Sequence, residues 1–144
     1  MFEITRERLD AQEIADLVGR GEAGGIAVFI SVVRNNNLGR DVGYLVYDAY
    51  PELATRQMRA IAAEVRARWP IEEIAMRHRI GRLNIGEASV AIAVSSAHRK
   101  EAIEACHYAI DRLKESVPIW KKEVWSNGEE WIEGHLVPAP EATA

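Results

Sequence analysis

The chain has 144 residues, 48% of them hydrophobic, and 18 basic against 22 acidic side chains leave a formal charge of −4. That length suits one domain with a sizeable core, and mixed charge with a negative sum argues against a general nucleic-acid binder. No apolar run approaches the ~20 residues of a membrane span, MFEITRERLD is not a signal peptide, and a single cysteine cannot form an internal disulfide, which together fit a reducing cytoplasm.

In chain order, residues 1–4 predict a short strand. Residues 10–18 predict a short helix with Ile14, Leu17 and Val18 inward, closed by Gly19 and Gly21. Gly24 and Gly25 release the apolar run IAVFISVV, which predicts a central strand buried on both faces and ending at Arg34. Residues 35–43, NNNLGRDVG, predict a flexible loop, a turn or a lid. Tyr44 to Tyr50 alternates as a strand with Tyr44, Val46, Asp48 and Tyr50 on one face. Pro51 opens a helix whose core positions are Ala54, Met58, Ile61, Val65 and Trp69, and Pro70 ends it. Residues 71–80 predict a strand with Met76, His78 and Ile80 on one face and Arg77 and Arg79 on the other. Gly81 and Gly86 bracket a tight connection to a strand over residues 88–95.

The stretch from Ser95 to Glu123 holds most of the functional signal. Ala102, Cys106, Ala109 and Leu113 recur at helical spacing, with Ile103 and Ile110 widening the same face. Ser96 is a candidate N-cap, and Pro118 ends the helix. His98 and Arg99 then fall at its first turn, where free N–H groups and the helix dipole favour an anion. A solvated arginine and a local cap are the plainer reading of that pair. Cys106, on the apolar face, reads as a small core residue rather than a nucleophile. After Pro118 a strand over residues 119–125 puts Lys121 and Glu123 on one face and Lys122 on the other, so Glu123 is placed to pair with Lys121. A lysine-protected sheet edge is the competing explanation of KKE. Asn127-Gly128 is a hairpin signal before a strand over residues 130–136. Residues 1–137 read as one domain and 138–144 as a disordered tail. The fold class is α+β: two or three helices and a mixed, largely antiparallel sheet.

Walker, Rossmann, zinc-finger and GxSxG patterns are absent, and His78, His98, His107 and His135 show no ligand spacing. His78 reads as a satisfied core or interface histidine. What remains is a metal-free, lysine-rich site. His98 lies about 24 Å from Lys114 along a helix, further than one small substrate reaches. A composite site in a homodimer, each chain giving one helix end, resolves that distance.

Six stretches, RNNNLG, YDAYPELA, HRIGRLNIG, SSAHR, LK at Leu113-Lys114 and VPIWKKE, together resemble the catalytic (large) subunit of molybdopterin synthase, in correct order over residues 25–134. The resemblance implies an α/β-hammerhead-type fold, a homodimeric core and a small ubiquitin-like sulfur-carrier subunit at each end, a heterotetramer needing no resident cofactor. It implies sulfur transfer from the carrier's C-terminal Gly-Gly thiocarboxylate to cyclic pyranopterin monophosphate, giving the molybdopterin dithiolene. The family's substrate contacts fall on Val32, Val33, Arg34, His98, Arg99, Lys114, Lys121, Lys122 and Glu123, and its catalytic pair on Lys114 and Lys121. Two positions depart from the pattern: Asn36 stands where relatives often carry histidine, and His135 near an expected arginine. A non-catalytic scaffold for a ubiquitin-like tail and a nucleotide- or RNA-binding domain are the alternatives, the second disfavoured by charge and by the lack of an aromatic strand motif.

Overall fold

The computed structural model describes residues 1–125 and 128–132. In chain order its elements are β1 (Phe2–Thr5), α1 (Ala11–Val18), β2 (Gly25–Val32), β3 (Asn36–Asn37), β4 (Arg40–Asp41), β5 (Tyr44–Ala49), α2 (Pro51–Arg68), β6 (Ile71–Arg79), β7 (Gly81–Asn84), β8 (Ala88–Ser96), α3 (Arg99–Ser116), β9 (Ile119–Trp125) and β10 (Gly128–Ile132). The α+β expectation holds. The expected tail, and the last residues of the expected final strand, lie outside the described residues.

Two four-stranded sheets organise the chain. The first runs β1-β6-β8-β2, with β1 parallel to β6 and the other pairs antiparallel. The second runs β10-β9-β5-β7 and is antiparallel throughout. α2 and α3 cover one face of the first sheet: Met58, Ile61 and Val65 of α2 and Ala105, Ala109 and Leu113 of α3 pack on Ile74, Met76, Val90, Ile92 and Val94. The other face, at Ala75, Ala91 and Ala93, takes Ile14 and Val18 of α1. Alternation along β8 explains the division. Its large β-branched residues face two helices, and its alanines admit one short helix close to the sheet. Asp10 caps α1, its side chain accepting from the Gln12 and Glu13 amides.

Several expectations change. β2 is an edge strand, not a central one: Ile26, Val28, Phe29 and Val32 are 37–50% exposed. An unbroken apolar run identifies a strand that something covers, without saying whether its own chain does so. Ile103 likewise points out of the core, 58% exposed. The residues after Ile80 are a strand, β7, rather than a connection; Gly81, at φ +93°, turns the chain from the first sheet into the second, where β7 pairs with β5. The 35–43 loop contains a small hairpin, β3-β4. Ser96 does not cap α3. It ends β8, its hydroxyl donates to the His98 carbonyl, and His98 takes the cap position without a side-chain bond.

Candidate functional site

Strand register builds the site. β5 pairs with β9 so that Leu45 lies opposite Glu123 and Tyr47 opposite Lys121. These four side chains therefore share one face of the second sheet, while Lys122, opposite Val46, takes the other. α3 ends beside that face with Lys114 in its last turn, a position that complements the negative end of the helix dipole. Val117 closes the helix by donating its N–H to the Leu113 carbonyl at 3.1 Å, and Pro118 forces the turn into β9. Lys114 and Lys121, seven residues apart, thus reach one place from different elements. The end of β2 and the β3-β4 hairpin complete the lining.

The result is a polar cleft of about 230 Å³ lined by Ser31, Val32, Val33, Arg34, Asn36, Asn37, Val42, Leu45, Tyr47, Lys114, Lys121 and Glu123. Six of the nine residues expected at the site meet here: Val32, Val33, Arg34, Lys114, Lys121 and Glu123. Lys122 does not. Its ammonium lies 3.4 Å from Glu129 and 5.5 Å from the Trp131 ring centre, on the far face of the sheet. His98 and Arg99 also lie elsewhere, exposed at the start of α3, as the helix length requires. His135 lies outside the described residues. Asn36, the departure in the loop, is at the cleft wall.

The electrostatics suit an anion and a movable proton. Lys114 is open to solvent at the cleft mouth, yet the protein crowded around its amine, and the charge of Lys121 beside it, hold its pKa below that of an ordinary lysine. A larger share of the amine is therefore neutral and able to act as a base or nucleophile. Glu123 is 3% exposed. Its expected pairing with Lys121 is replaced by two neutral donors: Asn37 Nδ2 at 2.5 Å on one oxygen and Trp125 Nε1 at 3.2 Å on the other. Burial pushes the Tyr47 phenol above its usual range, Ser89 opposing and Glu123 adding to the shift, so Tyr47 enters the cleft as a hydrogen-bond donor.

Beneath Tyr47 sits His78, its ring edge-on at 5.0 Å between centroids. His78 is buried, and desolvation lowers its pKa to about 4; its Nδ1 lies 2.8 Å from the Arg79 carbonyl, which fixes the Nδ1–H tautomer. It is a satisfied core histidine, as the sequence suggested. Cys106, 5% exposed, is pushed by burial up to about 11 and remains a thiol. Tyr47 and Asn37 are among the cleft residues that sequence reasoning missed. Tyr47 lies on the strand face opposite the one singled out, and only its register with Lys121 marks it. Asn37 carries no signal beyond its place in a loop.

A second concavity, apolar and about 410 Å³, lies between β2 and α3, lined by Ala27, Val28, Phe29, Ile103, Cys106, His107 and Ile110. It is continuous with the exposed apolar residues of the β2 edge.

Comparisons with known proteins agree with this geometry. The family model described as MoaE protein matches residues 4–116. The molybdopterin synthase catalytic subunit of Bacillus subtilis (strain 168) is 47% identical over 135 residues, covering 94% of this chain and 86% of the relative. The human protein of the same name is 43% identical over 131 residues, covering 91% of this chain and 70% of its own. The crystal structure of molybdopterin synthase from Staphylococcus aureus superposes with a TM-score of 0.88 at 41% identity, covering 93% of this chain and 97% of that one.

Proposed function

The chain belongs to the MoaE protein family, and we propose that its lysine cleft is where the family's sulfur transfer takes place. The protein is the catalytic subunit of a molybdopterin synthase, a sulfurtransferase of molybdenum cofactor biosynthesis. It receives sulfur from the C-terminal thiocarboxylate of a small ubiquitin-like carrier subunit and adds it to cyclic pyranopterin monophosphate to form the dithiolene. The observation that supports this reading is the convergence of Lys114, Lys121, Arg34 and buried Glu123 on one polar cleft, with the Lys114 amine partly desolvated. Arg34 attracts the anionic substrate, Lys114 approaches the thiocarboxylate, and Lys121 assists proton transfer. Glu123 acts through Asn37 and Trp125 rather than by orienting Lys121. Lys122, on the far face, lies outside this chain's cleft.

His98 and Arg99 join the site only if a second chain supplies them. The exposed apolar edge of β2, together with Ile103, supports a homodimer in which these surfaces meet, since an unpaired apolar strand edge favours association. Two carriers on that core give the heterotetramer. The reading places the protein in the cytoplasm; among the described residues no helix is long and apolar enough to cross a membrane.

The test is reconstitution with thiocarboxylated carrier and cyclic pyranopterin monophosphate, following the dithiolene-bearing pterin. Wild type forms product, and Lys114→Ala lowers turnover by about a hundredfold or more, the usual scale for loss of a group acting in proton transfer. Undiminished turnover in Lys114→Ala refutes the assignment. Carrier binding without product in wild type returns the scaffold reading.

A further inference from the structure

The β3-β4 hairpin has little to hold it in place by itself. It consists of two residue pairs, Asn36 with Asp41 and Asn37 with Arg40, and a two-stranded hairpin of that size is marginal alone. Its turn places Leu38 at φ +52° and Gly39 at φ +82°, and the Leu38 side chain, 90% exposed, packs on nothing. A leucine in the left-handed region is itself unfavourable. Beyond the Gly43 N–H to Val124 carbonyl bond that ties down the chain just after the hairpin, side-chain contacts to the second sheet set its position. Arg40 stacks 4.2 Å from the Trp125 ring centre and lies 3.5 Å from Glu130, but the Arg40–Glu130 pair is solvent-exposed and correspondingly weak. The remaining contact, Asn37 Nδ2 to Glu123 Oε2, is partly buried and has a carboxylate acceptor, which makes it the strongest of the three.

We propose that Asn37 is a positioning residue: by latching the hairpin to Glu123 it fixes the cleft wall against which the carrier's C-terminal tail lies. The wall presents the Asn36 and Asn37 side chains, whose amide chemistry matches the peptide groups of an extended Gly-Gly tail better than a phosphate, and it lines the same cleft as Lys114 and Lys121. Glu123 thereby has a task as the buried anchor of the hairpin. The choice of a tail as occupant rests on the function proposed above; the latch does not.

Two measurements separate those parts. Amide hydrogen exchange of the protein without substrate reads the latch through Val42, which donates to the Asn35 carbonyl at 2.8 Å, and Gly43, which donates to the Val124 carbonyl at 2.8 Å. Asn37→Asp opposes two carboxylates and speeds exchange over residues 35–43 by about tenfold or more. Asn37→Asp combined with Glu123→Gln restores a bond with donor and acceptor exchanged, and exchange returns close to wild type. In the reconstituted assay Asn37→Ala raises KM for the carrier about tenfold, with a far smaller change in kcat and in KM for the pterin. Unchanged exchange in Asn37→Asp, or no recovery in the double variant, overturns the latch. A loss confined to kcat overturns the positioning role. A latch that behaves as stated in a wild-type protein that makes no product sinks the functional reading alone.

Discussion

His78 shows what the cleft asks of a single residue. It lies under Tyr47, close enough to Lys114 for their charges to interact, and any proton it gained would face that amine in a site stripped of water. The folded protein holds it neutral, with a pKa of about 4 against 6.5 when unfolded. Between those values the unfolded chain binds more protons, so stability rises with pH across the window and is lost as pH falls from about 6.5 to about 4. The size of the shift corresponds to about 3 kcal/mol of stability lost at the acid end. Gln at this position keeps a donor near the Arg79 carbonyl but cannot titrate. Chemical denaturation of wild type and His78→Gln across that range is expected to show a steeper decline in wild type by about that amount. Parallel pH profiles would mean that His78 is charged or hydrated in the fold.

At the scale of elements, the start of α3 is placed by a close approach of two backbones. Gly24 donates its N–H to the Ser96 carbonyl at 3.0 Å, and a Cβ on Gly24 would come within 2.5 Å of the Ala97 carbonyl oxygen. Gly25 is packed almost as tightly, its Cβ position 3.2 Å from the Arg99 Cα. Gly24→Ala must therefore separate β2 from the β8-α3 junction, at a cost of about 1–3 kcal/mol. Gly21, three residues earlier, has nothing within 4 Å of its Cβ position, so Gly21→Ala serves as the control and leaves the thermal midpoint nearly unchanged. Equal midpoints for the two variants would contradict the packing at this junction.

The same junction shows what the sequence makes legible. The helices were readable because Pro51, Pro118, Gly19 and the 3.6-residue spacing of core residues act locally. Lys121 and Glu123 were placed on one face correctly, because strand alternation is local too. The partner of Glu123 was not legible, since Asn37 is 86 residues away and meets it only through a hairpin whose Leu38-Gly39 turn lacks the Asn-Gly signature. Tyr47 was missed for a related reason: only the pairing of β5 with β9 shows which face of β5 looks into the cleft. The N-cap of α3 shifted from Ser96 to His98 because β8 continues to Ser96 and uses that residue's backbone in both sheet pairings.

For the whole molecule, the decisive question is whether the two ends of α3 serve one reaction. Lys114 lines the cleft and His98 and Arg99 do not, so a single chain cannot supply both groups to one small substrate. The apolar β2 edge and the neighbouring groove provide a surface through which two chains can meet. If the site is composite, chains carrying Arg99→Ala and chains carrying Lys114→Ala are each inactive as homodimers for different reasons. In a mixed dimer one cleft combines the intact Lys114 of one chain with the intact Arg99 of the other, while the second cleft lacks both groups. Subunit exchange between the two variants is therefore expected to restore activity, up to about half of wild type per mixed dimer, because one of its two clefts is complete. The restored activity should follow the fraction of mixed dimers and fall away on dilution below the dimer dissociation constant. Mixing without recovery, in a sample where exchange has been verified, would place the whole site within one chain and leave His98 and Arg99 outside the reaction.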